Sequence, residues 1–342
     1  MTRTFKSAPN GKSLIEMMTD DPRLTALHTW LAQQLGTNHF AITPASADAS
    51  FRRYLRVRQA NASWIVMDAP PEREDSAPFV DVTQRLEAVG LRVPHVHVAD
   101  LENGFLLLDD LGQQPYLGAL DTATVDSLYA DALAALLRMQ TVDPAGLPDY
   151  DHDRLWQEMA LFPDWLLAQH HELTLNDKDR QTLESVSEAL AQAALEQPRC
   201  FVHRDYHSRN LMVVDVGNPG ILDYQDAVFG PITYDLVSLL RDCYIAWPRE
   251  RVNHWALDYR DRLIAAGHLE WITDSEFLRW LDLMGIQRHL KASGIFARLY
   301  HRDGKAGYLA DIPRTLGYIQ ASAPRYAATA SLVPLIQEHG LV

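Results

Sequence analysis

Cysteine is scarce in this sequence, and its scarcity argues against two kinds of fold. Among 342 residues only Cys200 and Cys243 are cysteines, and no C-x-x-C spacing occurs. Neither a disulfide-stapled domain nor a cysteine-bound zinc site is therefore expected. Long apolar runs are also missing, since none reaches the roughly 18 residues that cross a bilayer, and MTRTFKSAPNGKSLIEMM at the start lacks the apolar core of a secretion signal. We expect a cytoplasmic protein with no membrane partner.

Positive charge is in deficit as well. The chain has 31 basic and 45 acidic residues, which gives a formal net charge of −14, and the acidic residues are spread along the sequence. A nucleic-acid-binding protein needs a clustered basic face, so we expect no nucleic-acid partner. A nucleotide substrate is compatible with this balance, because Mg²⁺ can neutralise its phosphates.

The N-terminal third of the chain has the pattern of a small sheet with helices. Residues 1–18 are polar and predict a loose segment, and residues 19–112 predict a β-rich N-lobe. A helix is expected to begin at Asp21-Pro22 and to end at Gly36. Period-two patterns and turn residues predict two strand pairs, with a helix near 75–89 between them, in FRRYLRVRQA and ASWIVMDAP, then in LRVPHVHVAD and GFLLLDDLG.

Residues 113–342 have helical periodicity and predict a mainly helical C-lobe. The periodic stretches are TATVDSLYADALAALLRMQ, RLWQEMALFPDWLLAQ, DKDRQTLESVSEALAQAALEQ and DSEFLRWLDLMGIQRHLKASGIFARLYHR. Residues 211–224 differ, because the apolar pieces LMVV and GILDY flank the turn-forming DVGNPG, which predicts an embedded β-hairpin. The predicted fold class is therefore α+β with two lobes.

The stretch FVHRDYHSRNLMV, residues 201–213, places ionisable residues between apolar ones. Buried charges are tolerated mainly where they pair or perform chemistry. Asp205 and Asn210 precede the first strand of the hairpin and Asp223 ends the second, so the hairpin is expected to bring Asn210 and Asp223 together beside Asp205. Oxygen ligands next to a carboxylate are typical of a Mg²⁺ site on phosphates. The alternative, an ordinary polar turn, is disfavoured by this spacing and context.

The HxDxxxxN pattern, followed by the strand-end Asp223, resembles the catalytic core of the kinase-like fold. HRDYH and LDYQDAVFGPITYD resemble the aminoglycoside and choline phosphotransferase branch, and no segment resembles a protein-kinase activation loop. Over most of residues 45–315 the chain is similar to the bacterial anomeric N-acetylmuramate/N-acetylglucosamine kinases of cell-wall recycling, in the stretches DASFRRYLRV, FLLLDDLG, HRDYHSRNLM, ILDYQDAVFGPITYDLVSLLRD and QRHLKASGIFARL. The resemblance implies a two-lobed protein-kinase-like fold and a monomer that uses ATP and Mg²⁺ to phosphorylate an amino sugar.

The resemblance also implies roles for individual residues. Asp205 would be the catalytic base, Asn210 and Asp223 would hold Mg²⁺, and Asp235 would brace the catalytic loop through backbone amides, which His203 would support by packing. The residues implied in nucleotide binding are Ser50, Phe51, Arg52, Arg53, Val66, Asp109, Leu111, Met212 and Leu222.

One departure from the kinase pattern concerns the phosphate contacts. The third strand of this fold usually carries a lysine, but WIVMDAP places Met67 and Asp68 near that position, and ADASFRRY lacks the usual glycines. Arg52 or Arg53 is expected to replace the lysine. The alternative is that both are exposed strand residues.

Candidate sugar-binding residues follow the catalytic motif and lie on the last long helix. Asp226 could hydrogen-bond sugar hydroxyls, and Arg288, Lys291 and Arg298 share one helix face that would suit an anionic substituent such as a lactyl carboxylate. The alternative for this basic face is an ordinary solvated helix surface.

Two other functions compete with the amino-sugar kinase. An aminoglycoside or choline/ethanolamine kinase binds cations, which the acidic net charge favours and the local basic face disfavours. A non-catalytic, pseudokinase-like binding module is supported by the missing lysine and glycines. The intact set of Asp205, Asn210 and Asp223 argues against it.

Overall fold

The computed structural model describes residues 21–46 and 51–341, which divide into two compact units. The first unit holds the described residues up to Val80 together with Pro94–Asp110, and the second holds Asp81–Val93 and the chain from Leu111 onward. Residues 81–93, which the sequence analysis placed in the N-lobe, therefore belong to the second unit. The loose segment expected at residues 1–18 and the proposed nucleotide contact Ser50 lie outside the described residues.

The first unit is built on an antiparallel sheet of five strands in the order β1-β2-β3-β5-β4. Both predicted strand pairs are present, whereas β1, which contains Pro44, was not predicted. Proline cannot donate to a strand ladder, and β1 accommodates it by lying at the sheet edge. The elements, including the helix α2 that leads into the second unit, are α1 Pro22–Leu35, β1 Ala41–Ser46, β2 Arg53–Gln59, β3 Ala62–Asp68, α2 Ala77–Ala88, β4 Val96–Asp100 and β5 Phe105–Asp109.

Helix α1 covers one face of this sheet. The Asp21 side chain accepts hydrogen bonds from the backbone N–H groups of Arg23 and Leu24, and Gly36 closes the helix in the left-handed region with φ 66°, as the sequence predicted. The apolar face of α1 packs on side chains from alternating strand positions, and this core contains Leu27, Trp30, Leu31, Ile42, Val57, Val66, Phe105 and Leu107.

The second unit is mainly helical and contains two short strand pairs. Strand β6 (Arg199–Val202) pairs with β9 (Val228–Pro231), and β7 (Leu211–Met212) pairs with β8 (Gly220–Ile221) as the predicted hairpin. The helices are α3 Tyr116–Ala119, α4 Val125–Met139, α5 His152–Leu161, α6 Asp177–Leu195, α7 Tyr234–Leu240, α8 Arg249–Ala265, α9 Asp274–Asp303, α10 Ile312–Ser322 and α11 Leu332–Glu338. The predicted α+β class, with a β-rich unit and a helical unit that carries a hairpin, is confirmed.

One predicted helix is divided in two. The stretch RLWQEMALFPDWLLAQ forms α5 and then a π-helix over Phe162–His170. Pro163 has no backbone N–H and cannot continue the α-helical ladder, which accounts for the change of helix type at this point.

Helix α9 is the centre of the second unit and packs against α5, the π-helix, α6, α7, α8 and α10. A capping box between Thr273 and Glu276 starts it, and Gly304 ends it with φ 67°. Gly294 allows a close approach to α5, because a Cβ atom there would lie 2.3 Å from the backbone of Leu161. In the described part of the chain, no helix is both long and apolar enough to cross a bilayer.

We predict that Gly294→Ala destabilises the protein by roughly 1–3 kcal/mol, because the added methyl forces α9 away from α5. The matched control is Gly317→Ala in α10, where a Cβ would meet nothing within 4 Å. Replacing that helical glycine should raise stability by about 0.5–1 kcal/mol. Urea denaturation measures both, and equal unfolding free energies for the two variants would contradict the prediction.

Candidate active site

The catalytic loop, residues 203–210, connects β6 to β7 and is held at its start by Asp235 in the first turn of α7. The Asp235 carboxylate accepts hydrogen bonds from the backbone N–H groups of His203 at 2.7 Å and Arg204 at 3.0 Å. This is the contact that the sequence analysis expected. Burial raises the pKa of Asp235 to about 7, although both amides act to lower it. The loop therefore begins on a buried two-amide support.

A second carboxylate, which sequence analysis missed, holds the far half of the loop. Asp242 is only 1% exposed and accepts the backbone N–H of Ser208 at 2.9 Å and that of Tyr244 at 2.8 Å. Asp242 lies seven residues after Asp235 and two residues beyond the end of α7, and its place in a largely apolar segment was the available signal. Asp235 and Asp242 together hold the start and the second half of the loop.

The hairpin brings the two proposed metal ligands together. Asn210 directly precedes β7 and Asp223 lies two residues after β8, and the Leu222 N–H donates to the Asn210 carbonyl at 2.9 Å. The Asn210 Nδ2 donates to the Asp205 carbonyl at 3.1 Å and to Asp223 Oδ2 at 3.2 Å. All three motif residues therefore converge at one end of the hairpin.

Two residues of this site have left-handed backbones although neither is glycine. Arg204 has φ 79° and Asp223 has φ 65°. Such conformations cost free energy and persist where surrounding contacts fix them, often at functional sites. Here the Asp235 carboxylate holds the Arg204 amide, and Gln225 Nε2 donates to Asp223 Oδ1 at 2.9 Å.

The side-chain oxygen atoms of Asn210 and Asp223 are ligands of the type that Mg²⁺ prefers. The amide and the carboxylate are in contact, so a single cation could reach an oxygen from each. Within residues 21–46 and 51–341 no group of three or more His, Cys, Asp or Glu side chains is placed to hold a metal. Mg²⁺ in kinases completes its shell with water and phosphate oxygens, and the pair fits that mode of binding.

Glu158 forms a buried charge network beneath the catalytic loop. Its carboxylate, on α5, accepts hydrogen bonds from the Arg204 guanidinium and the Tyr150 hydroxyl, and it lies 2.9 Å from the Lys291 Nζ. Despite burial, these partners lower the pKa of Glu158 to about 2. The signal for Glu158 was its place on the apolar face of α5 beside Leu155 and Met159.

The charges around Asp205 favour its ionised form. Burial alone would raise the pKa of Asp205, but the positive charges of Lys291 and Arg204 lower it below the ordinary value. His203 is fully buried, and burial lowers its pKa to about 4. The neutral ring accepts the Asp205 N–H at Nδ1, at 3.2 Å. Asp205 is thus a carboxylate on a rigid loop, suited to orient a hydroxyl.

Arg53, one of the two arginines expected to replace the lysine, is paired with carboxylates. Its guanidinium pairs with the fully buried Asp68, which faces it across the β2–β3 ladder, and with Asp21. Arg23 Nε also donates to Asp68 at 2.6 Å. The end of β3, near the expected position of the kinase lysine, therefore carries a carboxylate with two arginine partners.

Val66, another proposed nucleotide contact, lies in the core of the first unit. It is fully buried in the core beneath α1, so it supports the sheet on the helix side. Successive side chains of a strand point to opposite faces, so Ile65 and Met67 lie on the other face of β3.

The other proposed nucleotide contacts of the first unit lie on or near strand ends. Phe51 is 58% exposed, with the Arg73 guanidinium 4.7 Å from its ring centroid, and Arg52 pairs with Glu74 at 3.1 Å. Asp109 ends β5 and donates its backbone N–H to the His95 carbonyl at 3.0 Å.

Three proposed nucleotide contacts belong to the second unit and gather around the hairpin. Met212 is 8% exposed and pairs with Gly220, whose Cα faces Leu111 so closely that a Cβ would lie 2.9 Å from a Leu111 methyl. Leu222 follows β8 and is partly exposed. Leu111 and Met212 therefore lie beside Gly220 of the hairpin, and Leu222 directly precedes the proposed metal ligand Asp223 in the sequence.

The basic residues of α9 do not form a solvated face. Arg288 and Lys291 are 9% and 8% exposed, Arg288 donates to the Arg204 carbonyl at 3.2 Å, and Lys291 donates to the Tyr234 hydroxyl at 2.9 Å. Both support the catalytic loop from below. Arg298 is partly buried, and Asp226 is exposed three residues after Asp223.

A comparison with protein-family models identifies the family of this chain. The model described as the phosphotransferase enzyme family, abbreviated APH, matches residues 41–281, which include the whole catalytic loop, the hairpin and Asp235. The chain belongs to this family. This phosphotransferase transfers a phosphoryl group to an alcohol acceptor, in agreement with the sequence prediction.

Curated relatives resemble this phosphotransferase along nearly all of its length. The N-acetylmuramate/N-acetylglucosamine kinase of Pseudomonas putida is 45% identical over 94% of this chain and 98% of its own. The protein of the same name from Pseudomonas aeruginosa is 46% identical over 93% and 97%, and that from Neisseria meningitidis is 42% identical over 92% and 96%.

Solved structures agree on the fold. Aminoglycoside 2′-phosphotransferase-IIIa in a GDP complex aligns with a TM-score of 0.63 and 12% identity, covering 90% of this chain and 100% of its own. Plasmodium vivax ethanolamine kinase aligns with a TM-score of 0.61 and 10% identity, covering 95% and 97%. The kinase-like fold predicted from the HxDxxxxN pattern is confirmed.

We predict that Glu158 makes stability depend on acidity. Its pKa lies near 2 in the folded protein and near the ordinary 4.5 after unfolding. Its contribution is therefore present above about pH 4.5 and is lost as the pH falls from there toward about 2. The difference in unfolding free energy between wild type and Glu158→Gln should shrink across this range, as followed by urea denaturation at several pH values. A difference that stays constant with pH would contradict the prediction.

Proposed function

We propose that this phosphotransferase transfers the γ-phosphoryl group of ATP to the anomeric hydroxyl of N-acetylmuramate and N-acetylglucosamine in peptidoglycan recycling. The observation that carries the proposal is the combination of relatives 42–46% identical over more than nine-tenths of the chain with an intact catalytic triplet. That triplet is Asp205, Asn210 and Asp223, placed together at one end of the hairpin. The reaction takes place in the cytoplasm, where ATP is available.

Asp205 orients the attacking hydroxyl in this proposal. Phosphoryl transfer needs little covalent chemistry from the protein, so correct positioning and charge neutralisation supply most of the acceleration. A lowered pKa makes Asp205 a weak base, yet an ionised carboxylate on a braced loop accepts the hydrogen of the sugar hydroxyl. The proton can move to Asp205 late, as the bond to phosphorus forms.

Asn210 and Asp223 hold Mg²⁺ in the proposed reaction. Bound Mg²⁺ supplies charge neutralisation and alignment of the nucleotide phosphates. The two residues present one amide and one carboxylate oxygen to it, and the Asn210–Asp205 contact links the metal ligands to the base. Met212, Leu111 and Leu222 offer an apolar surface next to these ligands, which suits an adenine ring.

Arg52 is the proposed phosphate cation of the first unit, since Arg53 is committed to Asp68 and Asp21. Arg52 pairs with Glu74 at 3.1 Å, and this contact fixes its direction as a lysine–glutamate pair does in protein kinases. An unchanged KM for ATP in Arg52→Ala would refute this assignment.

Phosphorus NMR of a reaction with ATP and Mg²⁺ tests the proposal. The acceptors are N-acetylmuramate, N-acetylglucosamine, kanamycin and choline, each also incubated with Asp205→Asn. We expect a sugar 1-phosphate signal from both amino sugars. In Asp205→Asn the rate at which this product forms should fall by roughly 10²–10⁴-fold, because the base is removed. Phosphate on kanamycin or choline instead would overturn the substrate assignment, and no product from any acceptor would favour a binding module.

A further inference from the structure

Arg209 lies in the catalytic loop between the base and a metal ligand, and aromatic rings hold its guanidinium. The Cζ atom is 3.6 Å from the centroid of the Tyr244 ring and 5.4 Å from that of Tyr308. Tyr244 in turn meets Phe296 at 6.0 Å, and Phe296 stacks on Tyr308 at 5.7 Å. A guanidinium flat against such a cluster loses little freedom when it binds a ligand, so it is preorganised.

The charge of Arg209 is only partly balanced. Asp311 Oδ2 lies 3.7 Å away, beyond hydrogen-bond distance. Asp311 Oδ1 already accepts from Arg314 at 2.8 Å, so two guanidinium groups share one carboxylate. Within the described ranges the structure gives the Arg209 side chain this one ion pair and no hydrogen bond, and 39% of its side-chain surface is exposed. Its planar set of donors is thus open to an anion.

The other cations near the loop have internal partners. Glu158 compensates Arg204 and Lys291, the Arg204 carbonyl accepts from Arg288, and Asp303 pairs with Arg302. Arg298 has less compensation, but it lies seven residues beyond Lys291 on α9, about 10 Å along the helix axis. Arg209 is the exposed cation carried by the same rigid loop as Asp205.

We propose that Arg209 selects for the acidic substrate by binding the carboxylate of N-acetylmuramate. This inference rests on the proposed function. The two amino sugars differ by a lactyl ether on one ring hydroxyl, whose carboxylate is the only charge on either sugar. Arginine binds a carboxylate through two parallel N–H donors, a geometry that lysine cannot reproduce. Arg209 therefore contributes to binding N-acetylmuramate and leaves N-acetylglucosamine without an ionic contact.

The test compares kcat/KM for the two sugars in wild type, Arg209→Gln and Arg209→Lys. Loss of a charge-assisted contact should lower kcat/KM for N-acetylmuramate by roughly 10- to 100-fold relative to N-acetylglucosamine, mainly through KM. Arg209→Lys should recover part of this ratio, since it keeps the charge without the planar donor set. The uncharged lactamide analogue of N-acetylmuramate serves as the substrate-side control. Its kcat/KM should already be low in wild type and should change little further in Arg209→Gln.

Two further variants control for position. Arg251 on α8 also lies over an aromatic ring, with its Cζ 5.1 Å from the Trp255 ring centroid, and it pairs with Asp126 of α4 at 2.7 Å. Arg251→Gln should therefore leave the ratio of kcat/KM for the two sugars unchanged. Arg298→Gln tests the rival cation, and its effect should be equal for both sugars.

The outcomes are distinct from those that test the proposed function. Equal losses for both sugars in Arg209→Gln would overturn the inference and leave Arg209 as a support of the loop. An unchanged ratio, or selective loss in Arg298→Gln alone, would also overturn it. If wild type phosphorylates neither sugar, the proposed function itself fails, which this comparison reveals before any variant is measured.

Discussion

The buried carboxylate of Glu158 is the contact on which the catalytic unit depends. It joins α5 to the catalytic loop through Arg204 and to α9 through Lys291, with the Tyr150 hydroxyl completing its hydrogen bonds. Charges out of water are stable only when they are paired and hydrogen-bonded, so each member of this network requires the others. The same network places two positive charges beneath Asp205 and keeps that group ionised.

Asp235 and Asp242 complete the support of the loop. They accept backbone amides at its start and in its second half, and the Asn210 side chain adds a hydrogen bond to the Asp205 carbonyl, so the loop that carries Asp205 is held at several points. An enzyme that transfers a phosphoryl group gains most from holding the base, the metal ligands and the acceptor in line. The three buried carboxylates serve this purpose from outside the reaction centre, which leaves exposed Arg209 free to distinguish acceptors.

The sequence predicted features that depend on local spacing. The HxDxxxxN pattern and the hairpin turn determined where Asp205, Asn210 and Asp223 would meet, and the capping residues of α1 determined its ends. Features that depend on distant partners were not accessible. The burial of Val66 beneath α1 depends on a helix distant in sequence, and the pairing of Arg53 with Asp68 becomes evident only from the β2–β3 register. Glu158 and Asp242 were missed because their hydrogen-bond and ion-pair partners lie far away in the sequence. A buried acid can be explained only once those partners are known.

Steady-state kinetics of Asp235→Asn test the central claim, that buried carboxylates position the catalytic loop, most directly. The substitution keeps the shape of the side chain but replaces one of the two acceptor oxygens by an amide NH₂ group. One of the two backbone N–H groups then faces a donor and loses its hydrogen bond. A displaced loop should lower kcat by about 10²-fold, while the KM for ATP changes little and thermal unfolding shows a folded chain. A kcat equal to that of wild type would contradict the account, because Asp205 would then hold its position without the Asp235 support.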